Sequence, residues 1–177
     1  MIKEKIQISL PINPSDIEQL NSGDEVFLSG VMFTARDAAH LRMWEALNHG
    51  RKLPFDITNQ GIYYMGPSPA RPGHVIGSAG PTTAGRMDKY TPSLLEHGLK
   101  AMIGKGRRND EVIDSIKKNK GIYFAVVGGA GALLSKSIIK SEIIAYEDLG
   151  TEAIRKLEVV NMPAIVAIDS RGNSIYK

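Results

Sequence analysis

Hydrophobic and polar residues alternate with a period of two in two stretches near the start of the chain, as in β-strands. The first stretch covers residues 5–10, and the second is the longer run 25–34, in which Gly30 indicates a bulge or a turn. Residues 11–20 between them contain turn-forming residues and space for one helical turn. From residue 37 to about 48 the apolar spacing changes to that of a helix.

The remaining chain begins with a middle part rich in Pro and Gly. It contains two short β-like pieces, 62–65 and 74–78, and then a helix expected from about 85 to 98 that restarts at Thr91-Pro92, because Pro suits a first helical position. The second half alternates between element types. Strands are predicted at 100–103, 121–127, 137–146 and 164–168, and helices at 110–120, 130–136 and 151–157.

Strands interleaved with short helices predict an α/β fold. The N-terminal part lacks the regular βαβ succession, which favours a mixed sheet flanked by short helices. A chain of 177 residues has the length of one domain, and we expect that domain to span residues 1–177.

Composition narrows the possible chemistry. The chain contains no cysteine, which excludes disulfides, thiol nucleophiles and any iron–sulfur cluster held by its own thiolates, but not a cluster held by another chain. The net charge of +3 is too small to indicate nucleic acid binding. No apolar run approaches the roughly 18 residues of a membrane span, and the N-terminus lacks a signal-peptide core. A cytoplasmic protein is therefore expected.

The stretch 80–88, Gly-Pro-Thr-Thr-Ala-Gly-Arg-Met-Asp, is the most informative for function. Its small residues, two hydroxyls and Arg86 come where a helix should begin, and free backbone N–H groups at such an end attract anions. Arg86 could hold a carboxylate in a bidentate fork. On spacing alone, a helix cap by Thr82 or Thr83 with a solvated Arg86 is the favoured alternative.

A second junction of strand and helix lies at 33–42. Arg36 stands at the junction, Asp37 suits a first helical turn, and His40 is four residues after Arg36 and on the same face. Taken alone, this arrangement is more often a capped helix with an ion pair than an active site. Two junctions that each present an arginine nevertheless allow a dicarboxylate site.

A third stretch, 102–108, places Lys105 between two glycines, where the backbone can approach an anion closely. It is not a P-loop, because the earlier glycine and the following Ser or Thr are missing. Arg107 and Arg108 are interpreted as a solvated edge. The glycines at 128–131 lack the third spaced glycine of a dinucleotide fingerprint, so tight packing explains them better, and the four histidines have no metal-ligand spacing.

Taken in order, these stretches resemble one family. The segments that carry the resemblance are 34–40, 80–88, 102–106, 127–133 and 158–169. Together they are similar to the β subunit of class I iron–sulfur fumarate hydratases and to the related tartrate dehydratase β chain. In single-chain members of this family the corresponding part is the C-terminal domain.

The resemblance implies a swivelling β/β/α domain and a partner α subunit that carries a [4Fe–4S] cluster. It also implies hydration and dehydration by Lewis-acid activation at an open iron of that cluster. Carried over by position, Arg36 and Arg86 would clamp the substrate carboxylates, Lys105 would contact a carboxylate, and Thr82 would stand where the family's proposed catalytic base lies. A threonine is a weak base unless its alkoxide is stabilised.

The expected function is therefore that of the β subunit in a hydro-lyase that interconverts fumarate and L-malate. It would work in a hetero-oligomer with the cluster-bearing α subunit. Two alternatives remain open: an L-tartrate dehydratase β subunit, and a non-catalytic domain that binds dicarboxylates or serves assembly.

Overall fold

A computed structural model describes residues 4–126 and 130–176 of the chain. Its strands are β1 (Ile6–Leu10), β2 (Glu25–Thr34), β3 (Gly61–Tyr63), β4 (Ala101–Gly104), β5 (Ile122–Ala125), β6 (Ile138–Ala145) and β7 (Ile154–Ile168). Its α-helices are α1 (Pro14–Gln19), α2 (Asp37–Asn48), α3 (Thr91–Glu96), α4 (Asp110–Asn119) and α5 (Gly131–Leu134), and short 3₁₀ turns cover Ala84–Met87, Ser135–Ser137 and Glu147–Glu152. No helix within these described ranges is long and apolar enough to cross a membrane.

The sheet closes on itself into a five-stranded barrel. Its strands follow the order β2-β3-β4-β5-β7, and β7 returns to pair antiparallel with β2 along most of the length of β2. β1 and β6 lie outside this ring: β1 adds in parallel to β2, and β6 adds antiparallel to β7. Gly30, with a φ of +121°, interrupts the pairing of β2 with β7, so the bulge predicted there is confirmed.

The core divides into two clusters of buried side chains, because alternate residues of each strand face opposite sides of the sheet. In β4, Ala101 and Ile103 belong to one cluster and Met102 to the other. The first cluster includes residues from α1 and β1. The second includes residues from α2, α3 and α4, and it lies beneath the loops that carry the candidate site.

The α/β class and the mixed sheet with short helices are confirmed. Two local predictions are wrong. Residues 74–78 form no strand, because Ser68 and Ser78 bond to each other across a loop: the Ser68 amide donates to the Ser78 carbonyl at 3.1 Å, and the Ser78 amide donates to the Ser68 hydroxyl at 2.8 Å. Residues 154–157 begin the long strand β7 instead of belonging to a helix, with Ile154 and Leu157 buried.

The glycine-rich stretch at 128–131 falls partly outside the described residues. Gly131 begins α5 and packs tightly: a Cβ added to it would come within 2.8 Å of the Gly80 amide nitrogen. This close approach agrees with the packing interpretation for Gly131.

Candidate functional site

Three parallel strands of the barrel end at one edge of the sheet, and the predicted site residues follow them. β2 pairs in parallel with β3, and β3 with β4, so their carboxyl ends lie side by side. Arg36 comes two residues after β2, and Lys105 directly follows β4. Beyond β3, the Tyr64 amide donates to the Ile103 carbonyl at 2.8 Å, which keeps segment 64–66 at the same edge.

The two predicted clamp arginines lie on either side of one carboxylate, that of Asp37. Arg86 Nε donates to Asp37 Oδ1 at 2.9 Å, and Arg36 Nε lies 4.0 Å from Asp37 Oδ2. All three side chains are partly exposed, Arg86 most at 54% and Arg36 least at 26%. Two guanidiniums held this close together, with access to solvent, can bind carboxylates. The ion-pair alternative for this junction is also realised, through Asp37.

A missing side chain makes room for Arg36. A Cβ on Gly66 would lie 2.9 Å from Arg36 Cδ and 2.8 Å from the Thr151 carbonyl oxygen, distances at which something must shift. The stem of Arg36 therefore lies directly over the Gly66 backbone. A larger residue at position 66 would therefore displace Arg36 or the segment at Thr151.

The backbone of Thr82 is hydrogen-bonded to segment 64–66, the same segment that Arg36 contacts. Its amide donates to the Tyr64 carbonyl at 2.6 Å, and within the described residues its hydroxyl makes no side-chain hydrogen bond. Thr83 takes the cap position of the turn Ala84–Met87, but its side chain makes no capping bond. The capping role predicted for Thr82 or Thr83 is thus not observed. A ligand could use the Thr82 hydroxyl.

Lys105 runs beside the threonine segment. It forms a parallel bridge with Thr83, and its carbonyl accepts from the Ala84 amide at 2.8 Å. Its half-buried side chain makes no ion pair with any residue of the described ranges. In the same part of the chain, no hydrogen bond or ion pair joins the Thr82 or Lys105 side chains to either arginine. Arg36 and Arg86 therefore form one cluster around Asp37. Backbone pairing places Thr82 and Lys105 at the same edge of the sheet as this cluster.

The solvated-edge interpretation of Arg108 is wrong. Its side chain is fully buried, and its Nε donates to Asp88 Oδ1 at 2.6 Å. The guanidinium also donates to the Thr91 hydroxyl at 2.8 Å and to the Tyr64 hydroxyl at 3.2 Å. Burial opposes the charge of Arg108, but Tyr64 and Asp88 outweigh it and raise the pKa of Arg108 above its ordinary value.

The Asp88–Arg108 pair joins the two loops of the site beneath their surface. Asp88 follows the turn that carries Arg86, and Arg108 follows the loop that carries Lys105. The second carboxylate oxygen of Asp88 accepts from the Asn109 amide at 2.8 Å. Sequence reasoning missed this pair because a buried arginine has no distinctive spacing and its partner lies 20 residues away.

His40 touches the backbone of Arg36 instead of its guanidinium. Its Nδ1 lies 2.8 Å from the Arg36 carbonyl and must donate to it, so Nε2 carries the lone pair; Nε2 is buried without a partner among the described residues. The ring meets that of Tyr64 edge to face, with centroids 5.3 Å apart. Burial is the main cause that lowers the pKa of His40 to about 4; Arg108 acts in the same direction, and the hydrogen bond to the Arg36 carbonyl opposes the shift. At neutral pH His40 is therefore uncharged.

The first turn of α2 is capped from far along the chain. Arg36 occupies the cap position without a side-chain capping bond, and Glu152 Oε1 accepts from the Ala38 amide at 3.2 Å. A carboxylate at this end also suits the helix dipole. The cap and the helix are separated by 114 residues, so no local pattern in the sequence could have indicated it.

The chain has no thiolate for an iron–sulfur cluster, and its described residues do not form a metal site. The sequence contains no cysteine, and in the described part of the chain no three residues among His, Asp and Glu come together in a way that could hold a metal ion. The chemistry at this edge of the sheet is that of guanidinium, ammonium and hydroxyl groups. Guanidinium and ammonium groups bind anions, and a hydroxyl can donate a hydrogen bond to one.

Comparison with known proteins gives a match to the family model described as "Fumarase C-terminus" over residues 2–177. The chain is 38% identical over 176 residues to fumarate hydratase 2 of Leishmania major, covering 97% of this chain and 31% of that protein. It is 37% identical over 177 residues to the anaerobic class I fumarate hydratase of Escherichia coli, covering 98% of this chain and 32% of that protein. The chain thus spans about a third of the length of these relatives.

A relative of similar length also exists. A protein of Methanocaldococcus jannaschii named "Putative L(+)-tartrate dehydratase subunit beta" is 38% identical over 172 residues, covering 94% of this chain and 88% of that protein.

Proposed function

Since the chain belongs to the fumarase C-terminus family, we propose that it is the β subunit of a hydro-lyase that interconverts fumarate and L-malate by reversible hydration. The observation that carries the proposal is the convergence of Arg36 and Arg86 at one edge of the sheet, on either side of Asp37. Two guanidiniums suit a substrate with two carboxylates. Asp37 supplies one negative charge against these two positive charges, so the cluster keeps a net positive charge that suits an anionic substrate.

In this proposal Arg86 and Arg36 each bind a substrate carboxylate. Arg86 uses Nε on Asp37, so the two Nη groups of its guanidinium are left for a second, bidentate carboxylate. Lys105 adds a third cation from the neighbouring loop and contacts a carboxylate. These contacts would orient a C4 dicarboxylate and compensate its charge.

Thr82 is the proposed group for handling the proton on carbon. Its hydroxyl is without a side-chain partner in the described part of the chain, and its backbone is fixed on Tyr64. A threonine can act as a base only if its alkoxide is stabilised, and Arg86 and Lys105 are the cations that neighbouring loops provide. Thr82→Ala should therefore lower kcat while leaving KM nearly unchanged.

The [4Fe–4S] cluster of the proposed enzyme would belong to a partner α subunit, because this chain has no thiolate to hold it. When bound there, the cluster would supply Lewis-acid chemistry for the substrate hydroxyl. We propose that residues 1–177 form one domain of the swivelling β/β/α type and that the complex acts in the cytoplasm. The relative of nearly the same length, whose name is that of a β subunit, supports a separate chain.

The proposal is tested by co-expression with a cysteine-containing α chain under anaerobic conditions. We expect a brown, oxygen-sensitive complex that hydrates fumarate. Arg86→Ala in that complex should lower kcat/KM by about 100-fold, equivalent to about 3 kcal/mol for a lost charge-assisted contact. Arg42→Ala is the matched control: this arginine of α2 forms an exposed pair with Asp148 instead of Asp37, so its loss should change little. Near-normal kcat/KM in Arg86→Ala would refute the clamp.

A second candidate function is L-tartrate dehydration, and the length and name of the Methanocaldococcus relative favour it. Both substrates carry two carboxylates, so the clamp serves either. The kcat/KM values of the complex with fumarate and with L-tartrate decide between them. A complex with an intact cluster that acts on neither substrate would instead indicate a dicarboxylate-binding or assembly domain.

A further inference from the structure

The Asp37 carboxylate lies between the two arginines of the proposed clamp. Its Oδ1 accepts from Arg86 Nε at 2.9 Å, whereas its Oδ2 is buried and makes no hydrogen bond within the described residues. Arg36 Nε, 4.0 Å from Oδ2, is likewise buried without a partner. The carboxylate is thus hydrogen-bonded to Arg86 through one oxygen and is not hydrogen-bonded to Arg36.

The side chains of Arg36 and Arg86 differ in how many contacts hold them in position. The stem of Arg36 packs closely against Gly66, and the Arg36 carbonyl accepts from His40 Nδ1. The side chain of Arg86 is exposed, and within the described residues its only hydrogen bond or ion pair is the one to Asp37. A long flexible side chain without a partner loses rotamer freedom when it binds a ligand, and that loss weakens binding.

We propose that Asp37 is a positioning residue that orients Arg86 for the substrate carboxylate, an inference that rests on the proposed function. It binds the Nε–H edge, so the edge formed by the two Nη groups stays open to a bidentate carboxylate. It also places a negative charge between two guanidiniums and reduces their repulsion when no substrate is bound. Asp37 does not touch the reacting atoms.

Kinetics of two variants of the complex test this role. Asp37→Ala removes both the acceptor and the charge, and KM should rise about tenfold or more with kcat within a few-fold of wild type, because the lost orientation affects ground state and transition state alike. Asp37→Asn keeps an oxygen that accepts from Arg86 Nε, so its KM should stay within about threefold of wild type. The matched control is Asp148→Ala, which removes the partner of Arg42 on the same helix and should leave KM within about twofold.

Three kinetic results would overturn the inference. An unchanged KM in Asp37→Ala would show that Arg86 needs no tether. Equal increases in Asp37→Ala and Asp37→Asn would show that the hydrogen bond is not what matters. A lower KM in Asp37→Ala would show that Asp37 competes with the substrate for the arginines.

A second readout does not depend on activity. In the complex containing ¹⁵N-labelled arginine, the Arg86 Nε–H signal, identified by its loss in Arg86→Lys, should exchange slowly with water in wild type and at least about tenfold faster in Asp37→Ala. Equal exchange rates in the two proteins would refute the tether even in an inactive complex. Slow exchange in a wild-type complex that turns over neither fumarate nor L-tartrate would uphold the tether while the proposed function fails.

Discussion

His40 should make the folded protein sensitive to acid. Its ring is completely buried and neutral in the folded state, with a pKa of about 4, whereas an unfolded histidine has a pKa of 6.5. Between pH 6.5 and about pH 4, His40 is therefore protonated in the unfolded chain and neutral in the folded chain. The free energy of unfolding is fully retained above pH 6.5 and falls as the pH drops through this window.

The size of the effect follows from the two pKa values. The difference of about 2.5 pH units corresponds to about 3 kcal/mol at 1.36 kcal/mol per unit. That is a large share of the 5–15 kcal/mol that typically separates folded from unfolded domains. Carboxylates titrate in the same range, so the contribution of His40 must be measured as a difference between two proteins.

The variant His40→Gln supplies that difference, because glutamine can still donate to the Arg36 carbonyl but does not titrate. Urea unfolding, followed by circular dichroism and by fluorescence of Trp44, should be measured at intervals from pH 7 to pH 4. The wild-type chain should lose about 3 kcal/mol more stability than the variant over this range. At pH 7 the variant will differ from wild type by its packing alone.

His49 provides a matched control for this experiment. Its Nδ1 lies 2.8 Å from the carbonyl of Glu45, four residues earlier, just as His40 Nδ1 contacts the carbonyl of Arg36. Unlike His40, however, His49 is exposed. His49→Gln should retain the acid-side loss of stability of the wild type. If His40→Gln and wild type lose stability in parallel, His40 is not the neutral buried group that the structure shows, and the reasoning fails.

Two further predictions concern the support of the site. Asp88→Ala leaves the buried Arg108 guanidinium without its counter-ion and should cost about 3–5 kcal/mol of stability in urea unfolding; a loss below 1 kcal/mol would contradict the buried pair. Gly66→Ala should push Arg36 aside and raise KM of the complex by about tenfold, an estimate based on the misplacement of a binding group. Gly61→Ala is its control, because that Cβ would make only ordinary contacts of 3.5 Å or more, and an equal KM in the two variants would dismiss the role of Gly66.

The sequence predicted those parts of the fold that depend on neighbours along the chain. The bounds of β2 and α2 agree with the structure, because alternation and helical spacing are local properties. Closure of the barrel could not be predicted, since it depends on pairing between Val26 and Ala164, residues more than a hundred positions apart. Strand β7 was predicted only over residues 164–168, because residues 154–157 were assigned to a short helix and residues 158–163 to no element.

The candidate site divides in the same way. Arg36, Arg86 and Lys105 were accessible to sequence reasoning because each stands beside a strand end or a glycine-rich turn. Asp37 was noted only as a residue suited to a first helical turn, and nothing local showed that it would face Arg86, 49 residues away. Arg108 was misplaced for a related reason, since burial of a charge depends on a partner that only the fold supplies.

Closure of the barrel also separates local opening of the outer strands from unfolding of the barrel itself. The ring of five strands has no terminal strand, so fraying must begin at β1 and β6, which lie outside it. Opening of those outer strands would leave the hydrogen bonds of β3 and β4 intact, and with them the base on which the site loops stand. In a hydrogen-exchange experiment, amides of β1 and β6 should exchange at low opening free energies while those of β3 and β4 exchange only with global unfolding. Loops attached to such a ring can tighten on a ligand without disturbing the sheet that aligns them.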